Sequence, residues 1–370
     1  MIKKENIREA KEYLKKVTRS EELMGCSALL LENGKETLYL QAGYADKEKN
    51  VPFGRNTICR LFSVTKVFTT VAVHKAIELG LFRKEDPASL YLPNLKNAKY
   101  MENGVLISVP SPTIRDLLNM QAGFNYMGEG YNEVYKAMEE SSFSLSTQEF
   151  AERITSLPLV YKPGTERRYS VAADLLGAII ERTSGISFLD FLSKYLFGPS
   201  GIKEAGFWLE DKNRDRLAAP YRKDGEVLKK MDHLMLGIRI DGKKNAFESG
   251  GAGLHATIDE VVSFGKALLE GKILSKKTLQ EMVQKDQDED ILPRNWMTPD
   301  GDIYKNLLSI RREKDSKDPG SNVGDFGWNG WLGCDLILSI ERQSVFVFFT
   351  QRADYGQGKA NKELRAILYK

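Results

Sequence analysis

Strand-like patterning is concentrated at the two ends of this chain, and the long stretch between them reads mainly as helix. Ser27 to Leu31 and Glu36 to Ala42 are apolar runs separated by Glu32-Asn33-Gly34-Lys35, a hairpin signal. Thr57 to Phe62 is one more short strand-like run, and alternation returns only in Gly333 to Ile340 and Val345 to Gln351, around a turn near Arg342. Between them, Ser63 to about Gly80, Thr113 to Met120, Thr147 to Leu157, Val171 to Ser184 and Ser187 to Leu196 carry helical spacing. Pro158, Pro163-Gly164, Gly185 and Pro199 punctuate these helices. The opening MIKKENIREAKEYLKKV and the segment from Lys359 to Leu368 read as terminal helices. The pattern predicts an α+β fold: an antiparallel sheet built from both chain ends, flanked by N- and C-terminal helices, with an all-helical domain beside it. The expected division is 1–60 and 245–370 for the sheet domain and 61–244 for the helical one, with a functional cleft at the junction.

With 370 residues the chain is long enough for two packed domains, and 42% hydrophobic with 28% charged residues is globular composition. Lys plus Arg number 54 and Asp plus Glu 51, a net charge of +3, so no basic or acidic excess points to nucleic acid or to a membrane surface. A small-molecule partner is expected, and the composition leaves the oligomeric state unknown. Cys26, Cys59 and Cys334 are widely spaced, which fits neither a disulfide framework nor a zinc cluster, and reduced or buried thiols are expected. No apolar segment follows the basic start, and Arg60, Lys66, His74, Lys75 and Glu78 break the apolar stretch from Ile58 to Phe82. The expectation is a cytoplasmic protein without a membrane span, and no metal or cofactor is expected. Lys285 to Asp290 and Arg311 to Asp318 read as solvated loops.

Several catalytic signatures are absent. There is no Gly-x-Ser-x-Gly elbow and no His-Glu-x-x-His. Gly237 to Lys244 approaches a P-loop, but Lys244 stands where a magnesium-binding hydroxyl is needed, and Gly237-Ile-Arg-Ile reads better as a strand. His74, His233 and His255 are the only histidines, and His74, late in a helix beside Lys75, reads as a surface residue.

Ser63-Val64-Thr65-Lys66 is a Ser-x-x-Lys motif, which sets two side chains one helical turn apart on one face. Ser200 to Lys203 and Ser263 to Lys266 share the spacing, but only Ser63 follows a strand-like run and opens a helix. There, backbone N–H groups and the helix dipole favour developing negative charge. Lys66 is the only charge between Leu61 and Val73, and an ammonium in so apolar a helix is costly without a partner or a purpose. The bland alternative is an N-cap serine followed by a lysine that snorkels to water. A second unusual segment, Pro163-Gly164-Thr165-Glu166-Arg167-Arg168-Tyr169-Ser170, delivers Tyr-Ser to the start of the helix Val171 to Gly177.

With these segments the chain resembles the serine β-lactamase-like family, which includes class C β-lactamases, D-amino-acid peptidases and esterases of β-lactamase fold. The resemblance spans about residues 20 to 368. Besides Leu61 to Lys66 and Pro163 to Gly177, it is carried by Thr113 to Leu118 ahead of Gly123, by Gly250-Gly251-Ala252-Gly253-Leu254 and by Phe326-Gly327-Trp328-Asn329-Gly330-Trp331-Leu332-Gly333. It implies a β-lactamase/transpeptidase-like fold, Ser63 as nucleophile, Lys66 as its partner and Tyr169 as the second-motif tyrosine. It also implies an oxyanion hole made by the backbone N–H groups of Ser63 and Trp331. Trp328, Asn329, Gly330 and Asp174 become candidate substrate-binding residues. His255, just after the glycine-rich turn, is a candidate lining residue with a structural role as its alternative. Two departures stand out: Val171 replaces the usual Asn two residues after the tyrosine, and Trp328-Asn329-Gly330 replaces Lys-Thr-Gly or His-x-Gly. The Tyr169 to Asp174 pattern looks like the esterase branch.

The expected function is acyl transfer through an acyl-enzyme on Ser63, with small acyl esters as substrates and no cofactor. β-Lactams and D-amino-acid peptides are the alternative substrates, and a slowly acylating binding or sensor protein is the alternative from another class. Two bases stay open: Lys66 with its pKa depressed by burial, or Tyr169 as a phenolate. Substrate choice is expected to rest on the loops Gly123 to Tyr131 and Lys285 to Ile303.

Overall fold

Strands from the two chain ends meet in one antiparallel sheet. The computed structural model describes residues 2–284, 302–311, 320–356 and 358–370. The first helix, α1 (Lys4–Arg19), leads into β1 (Gly25–Glu32), β2 (Lys35–Asp46), β3 (Val51–Pro52) and β4 (Ile58–Arg60). Helices α2 (Thr65–Glu78), α3 (Ile114–Leu118), α4 (Tyr131–Glu140), α5 (Thr147–Ser156), α6 (Ala172–Ser184), α7 (Phe188–Leu192) and α8 (Gly198–Ser200) follow, interrupted by the hairpin β5 (Lys99–Glu102) and β6 (Val105–Ser108). A second hairpin, β7 (Tyr221–Asp224) and β8 (Val227–Lys230), precedes β9 (His255–Thr257), α9 (Ile258–Leu269) and α10 (Lys276–Val283). The chain ends with β10 (Asp302–Lys305), β11 (Leu308–Arg311), β12 (Phe326–Asn329), β13 (Asp335–Ser339), β14 (Ser344–Thr350) and α11 (Lys359–Leu368). The main sheet has the order β10-β11-β12-β13-β14-β1-β2-β3, and β4 pairs separately with β9.

The two-residue period of a strand explains how the sheet is covered. In β1, Cys26, Ala28 and Leu30 meet α1 and α11 through Leu14, Leu364 and Leu368, while Leu29 and Leu31 face the opposite core. In β14, Phe346 and Phe348 join the first group and Val345, Val347 and Phe349 the second. Both central strands are therefore apolar on both faces. The β1–β2 turn places Asn33 and Gly34 at φ 51° and 74°, the left-handed pair that a two-residue hairpin requires.

The second core runs without a break from the sheet into the helices. Phe68 of α2 stacks on Phe264 of α9 at 3.9 Å, joining the region expected to be helical to the region expected to be sheet. Residues 219–231, expected in the helical part, bond back to the sheet region: Ala219 N–H donates to Ala45 O and Tyr221 N–H to Gln351 O, each at 2.8 Å.

Three expectations need correction. The middle of the chain contains the hairpins β5–β6 and β7–β8. Gly237 to Ile240 is not a strand, because Leu236 and Gly237 take φ 62° and 66° and the Asn245 amide donates to Gly237 O at 2.7 Å. His74 is buried rather than on the surface, since α2 is enclosed on nearly every side. The expected loop Lys285 to Asp290, the part of Arg311 to Asp318 after Arg311, and most of Lys285 to Ile303 lie outside the described residues; Arg311 itself ends β11 rather than opening a loop.

Candidate active site

From Leu61 to His74 every residue is buried except Ser63, which is half-buried. The single opening in this wall is thus the serine hydroxyl at the junction of β4 and α2. Phe62, just before it, holds φ 46°, a left-handed conformation that typically costs on the order of 1 to 3 kcal/mol for a non-glycine residue. Its ring is buried against Trp331 at a centroid distance of 5.2 Å. The strained residue turns the chain sharply from strand to helix and is locked there by packing.

Lys66 lies one turn further on. Its Nζ donates to Ser63 Oγ at 3.1 Å and to Gly251 O at 2.6 Å. The side chain is fully buried, and the rings of Tyr169 and Tyr126 lie 4.6 and 5.2 Å from the nitrogen. Burial disfavours the ammonium and, although the Asp174 carboxylate opposes it, pulls the pKa from 10.5 down to about 7. The neutral amine, with a free lone pair beside Ser63, is thereby brought within reach at neutral pH.

Tyr169 arrives from the loop before α6. Its hydroxyl hydrogen-bonds Ser63 and accepts the Trp328 indole N–H at 3.0 Å, and the two rings stack at 5.8 Å. Burial pushes the phenol well above its usual value of 10, with the hydrogen bonds from Ser63 and Trp328 opposing. Of the two bases left open by the sequence, the electrostatics therefore favour Lys66 over a Tyr169 phenolate.

The end of β12 closes the other side. Gly330 packs on the Leu61 carbonyl and beside Phe62 with no room for a Cβ, which brings this strand end close to the residues just before Ser63. Trp331 is half-buried, and its indole donates to Asp354 at 2.7 Å. Arg222, 5.3 Å from the Trp331 ring, is ion-paired with Asp354.

The glycine-rich segment threads between α2 and α6. Gly250 O accepts from Thr69 Oγ1 at 2.6 Å, and a Cβ on Gly250 would meet Ala173 O at 2.5 Å, so only glycine lets the segment pass.

The structure brings together Ser63, Lys66, Tyr169, Trp328, Gly330 and Trp331. Two placements differ from expectation. Trp328 is 2% exposed and holds Tyr169, so it supports the tyrosine and presents no broad wall to a substrate. His255 is buried on β9, opposite Arg60, with Nδ1 3.3 Å from Gly206 O, and burial lowers its pKa to about 3. This placement supports the structural alternative over a lining role. Asn329 is half-buried beside Gly356, and Asp174 is buried behind Lys66. Sequence reasoning passed over Tyr126, whose ring meets Tyr169 at 5.3 Å as well as Lys66. Its only signal was an aromatic residue in the loop after Gly123. Among the described residues, no group of three or more His, Cys, Asp or Glu is placed to hold a metal ion, and no helix is long and apolar enough to cross a membrane.

A fully buried lysine 3.1 Å from a half-buried serine at the start of α2, in an α+β fold, is the arrangement of a serine hydrolase of β-lactamase fold. The chain belongs to the β-lactamase family, whose model matches residues 10–370. It is 29% identical over 289 residues to esterase EstB of Burkholderia gladioli, covering 73% of this chain and 71% of that protein. It is 26% identical over 288 residues to the β-lactamase of Escherichia coli K12, covering 78% and 66%. The chain thus spans about two thirds of the length of these curated relatives. Among solved structures it is similar to EstCE1, a hydrolase with promiscuous acyltransferase activity, with TM-score 0.82 at 23% identity and 99% coverage of both chains. It is also similar to the simvastatin synthase LovD of Aspergillus terreus, with TM-score 0.78 at 19% identity and coverage of 98% and 97%.

Proposed function

We propose that this protein is a carboxylesterase that cleaves small uncharged acyl esters through an acyl-enzyme on Ser63. The observation that carries the proposal is the fully buried Lys66 amine 3.1 Å from Ser63 Oγ. In its neutral form Lys66 takes the Ser63 proton as Oγ attacks the ester carbonyl. The backbone N–H groups of Ser63 and Trp331 hold the oxyanion, each of a kind whose removal typically costs about 3 kcal/mol. Tyr169, kept neutral by burial, gives its hydroxyl proton to the leaving alkoxide and is reprotonated from Lys66, so the alcohol departs and the amine is neutral again. Water then adds to the acyl-enzyme, giving its proton to Lys66, which returns it to Ser63 Oγ as the acyl–oxygen bond breaks and the acid is released.

Ester substrates are favoured by what surrounds this machinery. Val171 offers no amide contact, Trp328 is engaged with Tyr169, and Arg222 beside Trp331 is already ion-paired. A substrate carboxylate would find neither the cation nor the amide that the related peptidases and β-lactamases use. Losing a charge-assisted and a neutral hydrogen bond, roughly 1.5 to 3 and 0.5 to 1.5 kcal/mol, predicts at least about a tenfold handicap for β-lactams. The test compares kcat/KM for p-nitrophenyl butyrate and a chromogenic cephalosporin on one preparation. The ester should win by about tenfold or more, and a larger value for the cephalosporin would restore the β-lactamase reading. Three free, buried cysteines support a reducing, cytoplasmic setting.

A further inference from the structure

We infer that Asp174 is a positioning residue that sets both the place and the basicity of Lys66 by clamping the Gly251 backbone. It does so without touching the substrate, contrary to the substrate-binding role expected from the sequence. The inference rests on Lys66 being the base.

Asp174 is 2% exposed and sits in the first turn of α6, whose N-cap, Val171, supplies no side-chain cap. One carboxylate oxygen, Oδ1, accepts from Ser249 Oγ at 2.6 Å and from Gly251 N–H at 3.0 Å. The carbonyl of the same Gly251 accepts from Lys66 Nζ at 2.6 Å. Ser249 in turn accepts from Ala252 N–H at 3.0 Å, so residues 249–252 are folded around the carboxylate. A single backbone residue therefore links the carboxylate to the lysine. A Cβ on Gly251 would stand 2.7 Å from Tyr126 Oη and 2.8 Å from Asp174 Oδ2, so glycine is required for this close stacking.

The charge acts as well as the geometry. The titratable groups facing Asp174 are Lys66 on α2, Tyr126 in the loop after Gly123, Tyr135 on α4 and Tyr169 before α6. Lys66 is the cation among them. Burial raises the carboxyl pKa, while the Ser249 and Gly251 hydrogen bonds, Lys66 and the positive end of α6 favour the anion. An anion there holds the Lys66 pKa above the value that burial alone would give, which keeps the amine basic enough to take a serine proton.

The test is Asp174→Asn, read by the rate at which a fluorophosphonate labels Ser63 between pH 5 and 10, a measurement that needs no substrate assignment. The isosteric amide keeps an acceptor for Ser249 and Gly251 but removes the charge. The acid limb, with its midpoint near 7 in the native protein, should move down by about one pH unit, and the plateau rate should fall by up to about tenfold. An unmoved limb would overturn the inference. So would a raised KM for p-nitrophenyl butyrate with kcat unchanged, which would return Asp174 to substrate binding. Absence of any limb near 7 in the native protein would instead sink the reading of Lys66 as base. Should Asp174→Asn not fold, the native protein labelled with 13C at aspartate carboxyls gives the same answer. One ionised resonance should shift with a midpoint near pH 7, and Lys66→Met should abolish that shift; no such resonance would count against the inference.

Discussion

Ser63-Val64-Thr65-Lys66 and Ser263-Phe264-Gly265-Lys266 carry the same two residues at the same spacing on two helices of one molecule. In α2 the lysine is fully buried, held by a carbonyl and two aromatic faces, with its pKa lowered to about 7. In α9 the lysine side chain is 40% exposed, lies 3.9 Å from Glu270 one turn away and donates to Gly34 O at 3.2 Å. The first serine opens a helix behind a strained phenylalanine; the second lies inside a regular helix that packs on the sheet. Spacing alone thus brings a serine and a lysine to one face. On the proposed function, dehydration of the lysine and a serine placed where the backbone turns are what make that pair reactive.

This contrast predicts effects of very different size. Ser63→Ala should abolish both ester turnover and fluorophosphonate labelling, whereas Ser263→Ala should leave both unchanged. Mass-spectrometric mapping of the labelled peptide separates the two, and label retained in Ser63→Ala would move the nucleophile elsewhere. Lys66→Arg comes next. Arginine keeps the positive charge but does not deprotonate, so kcat should fall on the order of 10²-fold or more. Lys266→Arg should stay within about twofold, as expected for an exposed ion pair. Equal losses in the two variants would show that the lysine at 66 acts through its charge rather than as a base.

The sheet was legible where strands are long and one or both faces are buried. β1, β2, β13 and β14 announce themselves through apolar runs and the Asn33-Gly34 turn, and the terminal helices through amphipathic spacing. The hairpins β5–β6 and β7–β8 were not, because most of their residues are exposed and alternation has nothing to encode. A turn signal, Asn103-Gly104 at φ 50° and 80°, was nonetheless present. β12 resisted pattern reading because Gly327 takes a place where a Cβ would overlap the β13 backbone. Within the site, Ser63 and Lys66 could be read from local spacing and hydropathy, while Tyr169 and the β12 segment needed the family resemblance. The partners of Asp174 could not be read, since the link to Lys66 runs through backbone atoms of Gly251 that no residue pattern records. Tyr126 was hidden for the same reason: its position follows from the path of a loop. His74 misled because its neighbours Lys75 and Glu78 are polar, although α2 is enclosed on the side that His74 occupies.

The chemistry proposed for Ser63 depends above all on the pKa of the Lys66 amine beside it. The most direct measurement is the pH dependence of Ser63 phosphonylation in the native protein under single-turnover conditions. If the reactive form is the neutral amine, as proposed, the rate should be low in acid, rise through a midpoint near pH 7 and stay level above about pH 8. A rate that is flat between pH 5 and 9, or one that climbs only toward pH 10 as for a solvated lysine or a phenol, would contradict the claim that burial makes Lys66 the base.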